Sequence, residues 1–149
     1  MKMSRFRASA LALVAIAVGG VIAFALPAGA AVSVQSESPS VAVVSLGAKA
    51  RLDANGAVVF APVKVACTPG GSAYLVVEVT QAVGNGIAKG EKVFTVPECT
   101  GDQQKINVAV TPDLKPYRKG VAFGSARLDV CDQTGCKSVY DERKIEIVK

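Results

Sequence analysis

The feature that most constrains this chain is a period-two alternation of apolar and polar residues that recurs through its last hundred or so positions. Leu46, Ala48, Ala50 and Leu52 alternate with Lys49 and Arg51, and Val63, Val65 and Cys67 alternate with Lys64 and Thr68. Leu75, Val77 and Val79 interleave with Tyr74, Glu78 and Thr80, and Ile106, Val108 and Val110 with Lys105, Asn107 and Thr111. Successive side chains of a strand point to opposite faces, so each run reads as a half-buried strand. Turn signals separate them at short intervals: Asp53-Ala54-Asn55-Gly56, Thr68-Pro69-Gly70-Gly71, Gly84-Asn85-Gly86, Cys99-Thr100-Gly101-Asp102 and Pro112-Asp113. Lys92 to Pro97 add a further strand, and Lys144 to Val148 close the chain. Seven to nine strands without a helical segment predict an all-β fold, an immunoglobulin-like antiparallel β-sandwich.

A different pattern precedes the strands. Lys2, Arg5 and Arg7 stand before an apolar stretch from Ala8 to Leu26, which Pro27 ends, and Ala28-Gly29-Ala30-Ala31 supplies the small residues a signal peptidase accommodates. The expected organisation is a signal peptide over residues 1–31, a flexible Ser/Gln/Glu/Pro-rich lead-in over 32–43 and a β-sandwich domain over 44–149. No cysteine stands at the junction, so a lipid anchor is not expected, and no membrane span is expected after cleavage. Nor does the C-terminal strand carry a wall-sorting motif. The predicted location is secreted and extracellular, with cell-envelope association open.

The leader also explains the charge. Of 17 Lys+Arg against 12 Asp+Glu, three cations belong to it, so the net charge falls from +5 to +2 on cleavage. The basicity of the whole chain is mostly the asymmetry that orients a leader, and a nucleic-acid partner is not indicated.

All four cysteines, Cys67, Cys99, Cys131 and Cys136, follow the leader, and an even count in an exported chain implies disulfides. Cys131-Asp-Gln-Thr-Gly-Cys136 encloses four turn-forming residues between two strand-like runs, which favours a bridge across a hairpin and leaves Cys67 to Cys99. Strand parity agrees: alternation through Ala126 to Cys131 puts Cys131 on the face of Arg127 and Asp129, away from the core. Metal binding would need further ligands, and the chain has no histidine.

That absence also bears on catalysis, since histidine is the commonest general base. Carboxylate pairs such as Asp129 with Asp132, or Asp141 with Glu142, read as solvated strand-end charges. Gly124-Ser125-Ala126 is not a nucleophile elbow. Gly84 to Lys92 resembles a phosphate loop only superficially, with no helix to follow, and reads as a mobile connection. Asp53-Ala54-Asn55-Gly56 reads as a turn rather than the start of a calcium loop. No enzyme activity and no cofactor are expected. The one candidate binding loop is Lys115-Pro116-Tyr117-Arg118-Lys119, in which Lys115, Arg118 and Lys119 surround the Tyr117 ring, an arrangement suited to an extracellular protein or an anionic envelope polymer.

Ala66-Cys67-Thr68-Pro69-Gly70 in an early strand, Gln81 after a long strand, and Glu98-Cys99-Thr100-Gly101 resemble small secreted immunoglobulin-like proteins of actinobacteria, many of unknown function. The resemblance spans most of residues 45–148. Asp129-Val130-Cys131-x4-Cys136 is also similar to the neocarzinostatin-type apoproteins, which hold an enediyne chromophore in a sandwich cleft. Their first bridge is short, whereas Cys67 and Cys99 are 32 positions apart, so only the final hairpin matches and no chromophore site is carried over. The function expected is an exported, non-enzymatic binding or structural module; the alternative is a protease or glycosidase inhibitor presenting a disulfide-tethered loop.

Overall fold

A computed structural model describes residues 41–149; the expected signal peptide and the lead-in up to residue 40 lie outside the described residues. Eight strands follow in order: β1 (Ala42–Leu46), β2 (Lys49–Asp53), β3 (Val58–Cys67), β4 (Ser72–Val83), β5 (Gly86–Val96), β6 (Gln104–Val110), β7 (Gly120–Asp132) and β8 (Gly135–Val148). The all-β reading therefore holds, with the strand number inside the expected range. Strand β1 begins at Ala42, inside the segment expected as lead-in, because the Val41 amide donates to Thr68 Oγ1 at 2.8 Å and ties the entering chain to the end of β3.

The strands form two layers. In one, β3 is central, with β6 antiparallel on one edge and β1, then β2, antiparallel on the other. In the second the order is β8-β7-β4-β5, antiparallel throughout. Strand β2 joins the layers by pairing in parallel with β8, Lys49 opposite Glu146 and Arg51 opposite Val148. That ladder is parallel, while the other pairings among the described strands are antiparallel as expected. It arises at Gly47, whose amide donates to the Pro62 carbonyl at 2.7 Å and where an added Cβ would meet Pro62 Cγ at 2.7 Å. The chain bends there and reaches the second layer.

Alternation sets the core. Val59, Ala61, Val63 and Val65 of β3, Leu75, Val77 and Val79 of β4, Leu128 and Val130 of β7, and Ile145 and Ile147 of β8 are all buried. Leu75 and Leu128 are register partners with no exposure, and full burial of such a side chain contributes about 1.5–3 kcal/mol. Leu46 of β1 crosses the interior to lie over Gly124 of β7, where an added Cβ would meet Leu46 Cδ2 at 2.6 Å and Ile145 Cδ1 at 3.1 Å.

Two disulfides staple the sandwich. Cys67, at the end of β3, joins Cys99 in the β5–β6 connection, and both are buried. Reciprocal backbone bonds flank the bridge, from the Gly70 amide to the Cys99 carbonyl and from the Gly101 amide to the Cys67 carbonyl, each 3.1 Å. Cys131 and Cys136 are register partners across the β7–β8 hairpin, with Cα atoms 4.0 Å apart. Both bridges match the pairing expected from spacing and parity.

One segment differs from its sequence reading. Gly84 to Lys92 is not a mobile connection: Gly84-Asn85 is a two-residue hairpin turn with Gly84 at φ 58°, and Gly86 onward is β5, paired with β4 over its whole length. Glycine at a positive φ closes such turns without strain. Gly90, which made the segment look loop-like, is buried in a strand interior because an added Cβ there would collide with the Thr111 carbonyl oxygen and lie 2.8 Å from the Tyr117 hydroxyl.

Candidate functional site

The loop singled out from sequence is bound tightly to the sandwich. Tyr117 has no exposure, and its hydroxyl donates to the Val79 carbonyl of β4 at 3.0 Å. Its amide donates to the Gly56 carbonyl at 2.9 Å. Next to it the Gln81 side chain, 3% exposed, donates from Nε2 to the Arg118 carbonyl and accepts from the Arg118 amide, both at 2.8 Å. This two-way amide clamp satisfies backbone groups that the loop would otherwise bury unpaired.

Tyr117 is thus an anchor, which corrects its reading as a stacking ring for a ligand. Gly56 and Gly90 make its socket, since a side chain at either would collide with the Tyr117 or Thr111 backbone. Lys115 folds back against Gly86, leaving Arg118 and Lys119 as the exposed cations of the loop. The four residues are therefore not gathered into one ligand-facing cluster.

Burial, reinforced by the charges of Asp113 and Glu78, raises the Tyr117 pKa well above its ordinary 10.0. The folded state then holds the phenolic proton more tightly than the unfolded chain does. This contribution is complete below about pH 10 and is lost as pH rises from there toward the raised value. Urea unfolding at rising alkaline pH should accordingly show stability falling above about pH 10, with a shallower fall in Tyr117→Phe. Equal slopes in the two proteins would contradict a buried, protonated Tyr117.

The candidate carboxylates are engaged in the structure. Asp129 pairs with Arg127 at 3.1 Å and accepts from Ser138 at 2.6 Å. Asp141 pairs with Arg143 at 2.7 Å and accepts the Leu46 amide at 2.7 Å, a bond that holds β1 to β8. Asp132 accepts from the Thr134 amide at 2.8 Å at the hairpin tip. Among the described residues no group of three or more His, Cys, Asp or Glu side chains is placed to hold a metal ion.

The exposed side chains gather elsewhere. Among the described residues nine large hydrophobic side chains are exposed, and six of them (Tyr74, Ile87, Val93, Val121, Phe123 and Tyr140) lie on the outer face of the layer β8-β7-β4-β5. Register puts Val93, Val76, Arg127 and Tyr140 in one row across the four strands, with Tyr74 in the neighbouring row. Phe123 sits in a further row with Thr80 and Lys89, Val121 lies two positions before it on β7 opposite Glu146, and Ile87 pairs with Ala82 near the β4–β5 turn.

Between the two apolar bands runs a row of Glu91, Glu78, Ser125 and Glu142, beside a shallow hollow of about 170 Å³ that Tyr140 and Arg127 also line. Lys89 Nζ neutralises Glu78 at 3.0 Å. The face is thus an apolar surface crossed by an acidic stripe.

Why the large residues lie outside is visible in the interior. In the first half of β7 the inward positions are Ala122, Gly124 and Ala126, and in the first half of β5 they are Ala88 and Gly90. Leu46 and Tyr117 occupy the space that larger inward residues would need. Sequence reasoning missed this face, although a signal was present. Leu128 and Val130 set the inward parity of β7, and counting back in twos from them puts Phe123 and Val121 outside.

No family model matches the chain, and no curated protein matches it. Solved structures that resemble it include the following two. The major subunit of aggregative adherence fimbriae type I from Escherichia coli is 11% identical, with 74% of this chain and 95% of that chain covered and a TM-score of 0.39. A sporulation control protein from Bacillus subtilis is 14% identical, with 74% and 49% covered and a TM-score of 0.33. Likenesses of that size carry no argument about function.

Proposed function

We propose that this chain is an exported, non-enzymatic binding module that docks a protein partner on the outer face of the layer β8-β7-β4-β5. The observation that carries the reading is the gathering of six exposed large hydrophobic side chains on that one face. Monomeric proteins rarely leave contiguous apolar surface in water without use, and aromatic residues are enriched where proteins meet. The glutamate stripe calls for a partner with basic groups between two apolar patches, an arrangement that favours register and specificity over raw affinity. Export is supported by the leader pattern and by two disulfides, which persist in oxidising compartments.

The inhibitor alternative has less behind it. The Cys131–Cys136 bridge closes a two-residue tip that is bonded to itself through Asp132 and Thr134, not an extended segment that would fit a protease cleft.

The test uses Phe123→Ser combined with Tyr140→Ser. Both positions are half exposed or more, and surface substitutions of this kind usually change stability by less than about 0.5 kcal/mol each. Size-exclusion of native secretions should find the wild type in a complex larger than its own mass and the double variant at monomer mass, with similar melting temperatures. A wild type that runs as a free monomer, or a variant that stays in the complex, would contradict the proposal.

A further inference from the structure

Charge of the reverse sign gathers elsewhere. Two hollows of about 510 and 350 Å³ share Pro62 of β3, and the second extends past the β1–β2 bend to Arg143 of β8. Lys49 and Arg51 line the first beside Phe60 and Val148, and Lys64, Lys105 and Arg143 line the second. No acidic residue lines either. Arg51 and Arg143 are held by Asp53 and Asp141, whereas Lys49, Lys64 and Lys105 have no carboxylate within 4.0 Å among the described residues.

Lys64 and Lys105 are also register partners on β3 and β6. Like charges directly opposite across a ladder are unfavourable, and neither lysine has an acidic partner among the described residues. Glu78 and Glu91, the corresponding acidic pair on the other face, are relieved by Lys89.

From these features we infer that the hollows form a groove for a linear polyanion, a chain with a negative group at each repeat. Two hollows joined at Pro62 suit an elongated ligand. Pro62 offers an uncharged backbone an apolar contact between the two hollows, and Arg51 lies over the Phe60 ring at 4.6 Å, while the lysine ammonium groups meet the ligand's charges. Lysines, as mobile point charges, tolerate variable spacing better than the rigid guanidinium fork. A phosphate polymer and a uronic-acid polymer share this chemistry. The groove shares no lining residue with the proposed protein-docking face, so each proposal stands or falls separately.

The experiment measures binding of inorganic polyphosphate, of polygalacturonate and of single inorganic phosphate to the wild-type domain at about 0.1 M salt, where screening acts over ~10 Å. Two variants of equal charge loss are compared: Lys64→Gln with Lys105→Gln in the groove, and Arg118→Gln with Lys119→Gln in the exposed loop. The groove variant should bind at least one polymer roughly ten-fold or more weakly, a difference of about 1.4 kcal/mol or more, while keeping an equal or higher melting temperature because the Lys64–Lys105 repulsion is gone. The loop variant should change by less than about two-fold. Preference for polyphosphate or for polygalacturonate then tells which source the groove suits, and equal binding of both would mark charge spacing as the property read. No polymer binding, equal losses in the two variants, a larger loss in the loop variant, or single phosphate bound as well as a polymer would each overturn the inference.

Discussion

Replacing Tyr117 with alanine is expected to destabilise the domain by about 3–5 kcal/mol, the range for emptying a buried aromatic position. The cavity would open between β4 and β5, and the Val79 carbonyl would lose its phenolic donor. It would also empty the socket at Gly56 and Gly90, leaving the loop held by the Gln81 clamp on Arg118 and the backbone bond from residue 117 to the Gly56 carbonyl. Urea unfolding gives the free energy directly. A loss below about 1 kcal/mol would mean that the loop is not anchored as described, because that is the scale of an exposed substitution. Tyr117→Phe separates the two contributions, since it keeps the packing and removes only the hydroxyl, for which about 1–3 kcal/mol is expected.

The second large effect is expected from Cys67→Ala combined with Cys99→Ala. In the loop-entropy account a bridge spanning 32 positions contributes about 3–4 kcal/mol, and loss of such a bridge often abolishes folding of a small secreted domain at 37 °C. Cys131→Ala with Cys136→Ala should cost less. That bridge spans only 5 positions and joins residues the β7–β8 ladder already places opposite each other, so it removes little further freedom. Thermal unfolding of the two double variants side by side should rank them in that order, and the reverse ranking would contradict it.

The strands, the parity of their faces and both cysteine pairings were legible in the sequence, because each depends on neighbours or on a period of two. Tyr117 was not. Beside Lys115, Arg118 and Lys119 it looks like part of a charged surface loop, and the glycines that make its socket lie in segments about 60 positions before it and 27 before it in the chain.

Gly84 to Lys92 misled for a related reason. Its glycines suggest a mobile loop when read locally, yet Gly90 is there because Tyr117 and Thr111 crowd it. The outer apolar face was hidden because the first parts of β5 and β7 place large residues outward and small ones (Ala88, Gly90, Ala122, Gly124, Ala126) inward, the reverse of the usual pattern. That reversal makes sense only once Leu46 and Tyr117 are known to fill the interior. The bend that pairs β2 in parallel with β8 has no local signature beyond Gly47, since it depends on the close approach of Pro62.

The proposed docking requires that the outer face of β8-β7-β4-β5 be occupied when the protein is at work. Covalent footprinting of the protein in its native secretions, compared with the purified protein at high dilution, measures this directly. Reactivity at Tyr74, Phe123 and Tyr140 should fall in the native state, while Leu114, which is 92% exposed in the β6–β7 connection, should be labelled equally in both. Equal labelling of the three aromatic residues in the two states would contradict the claim.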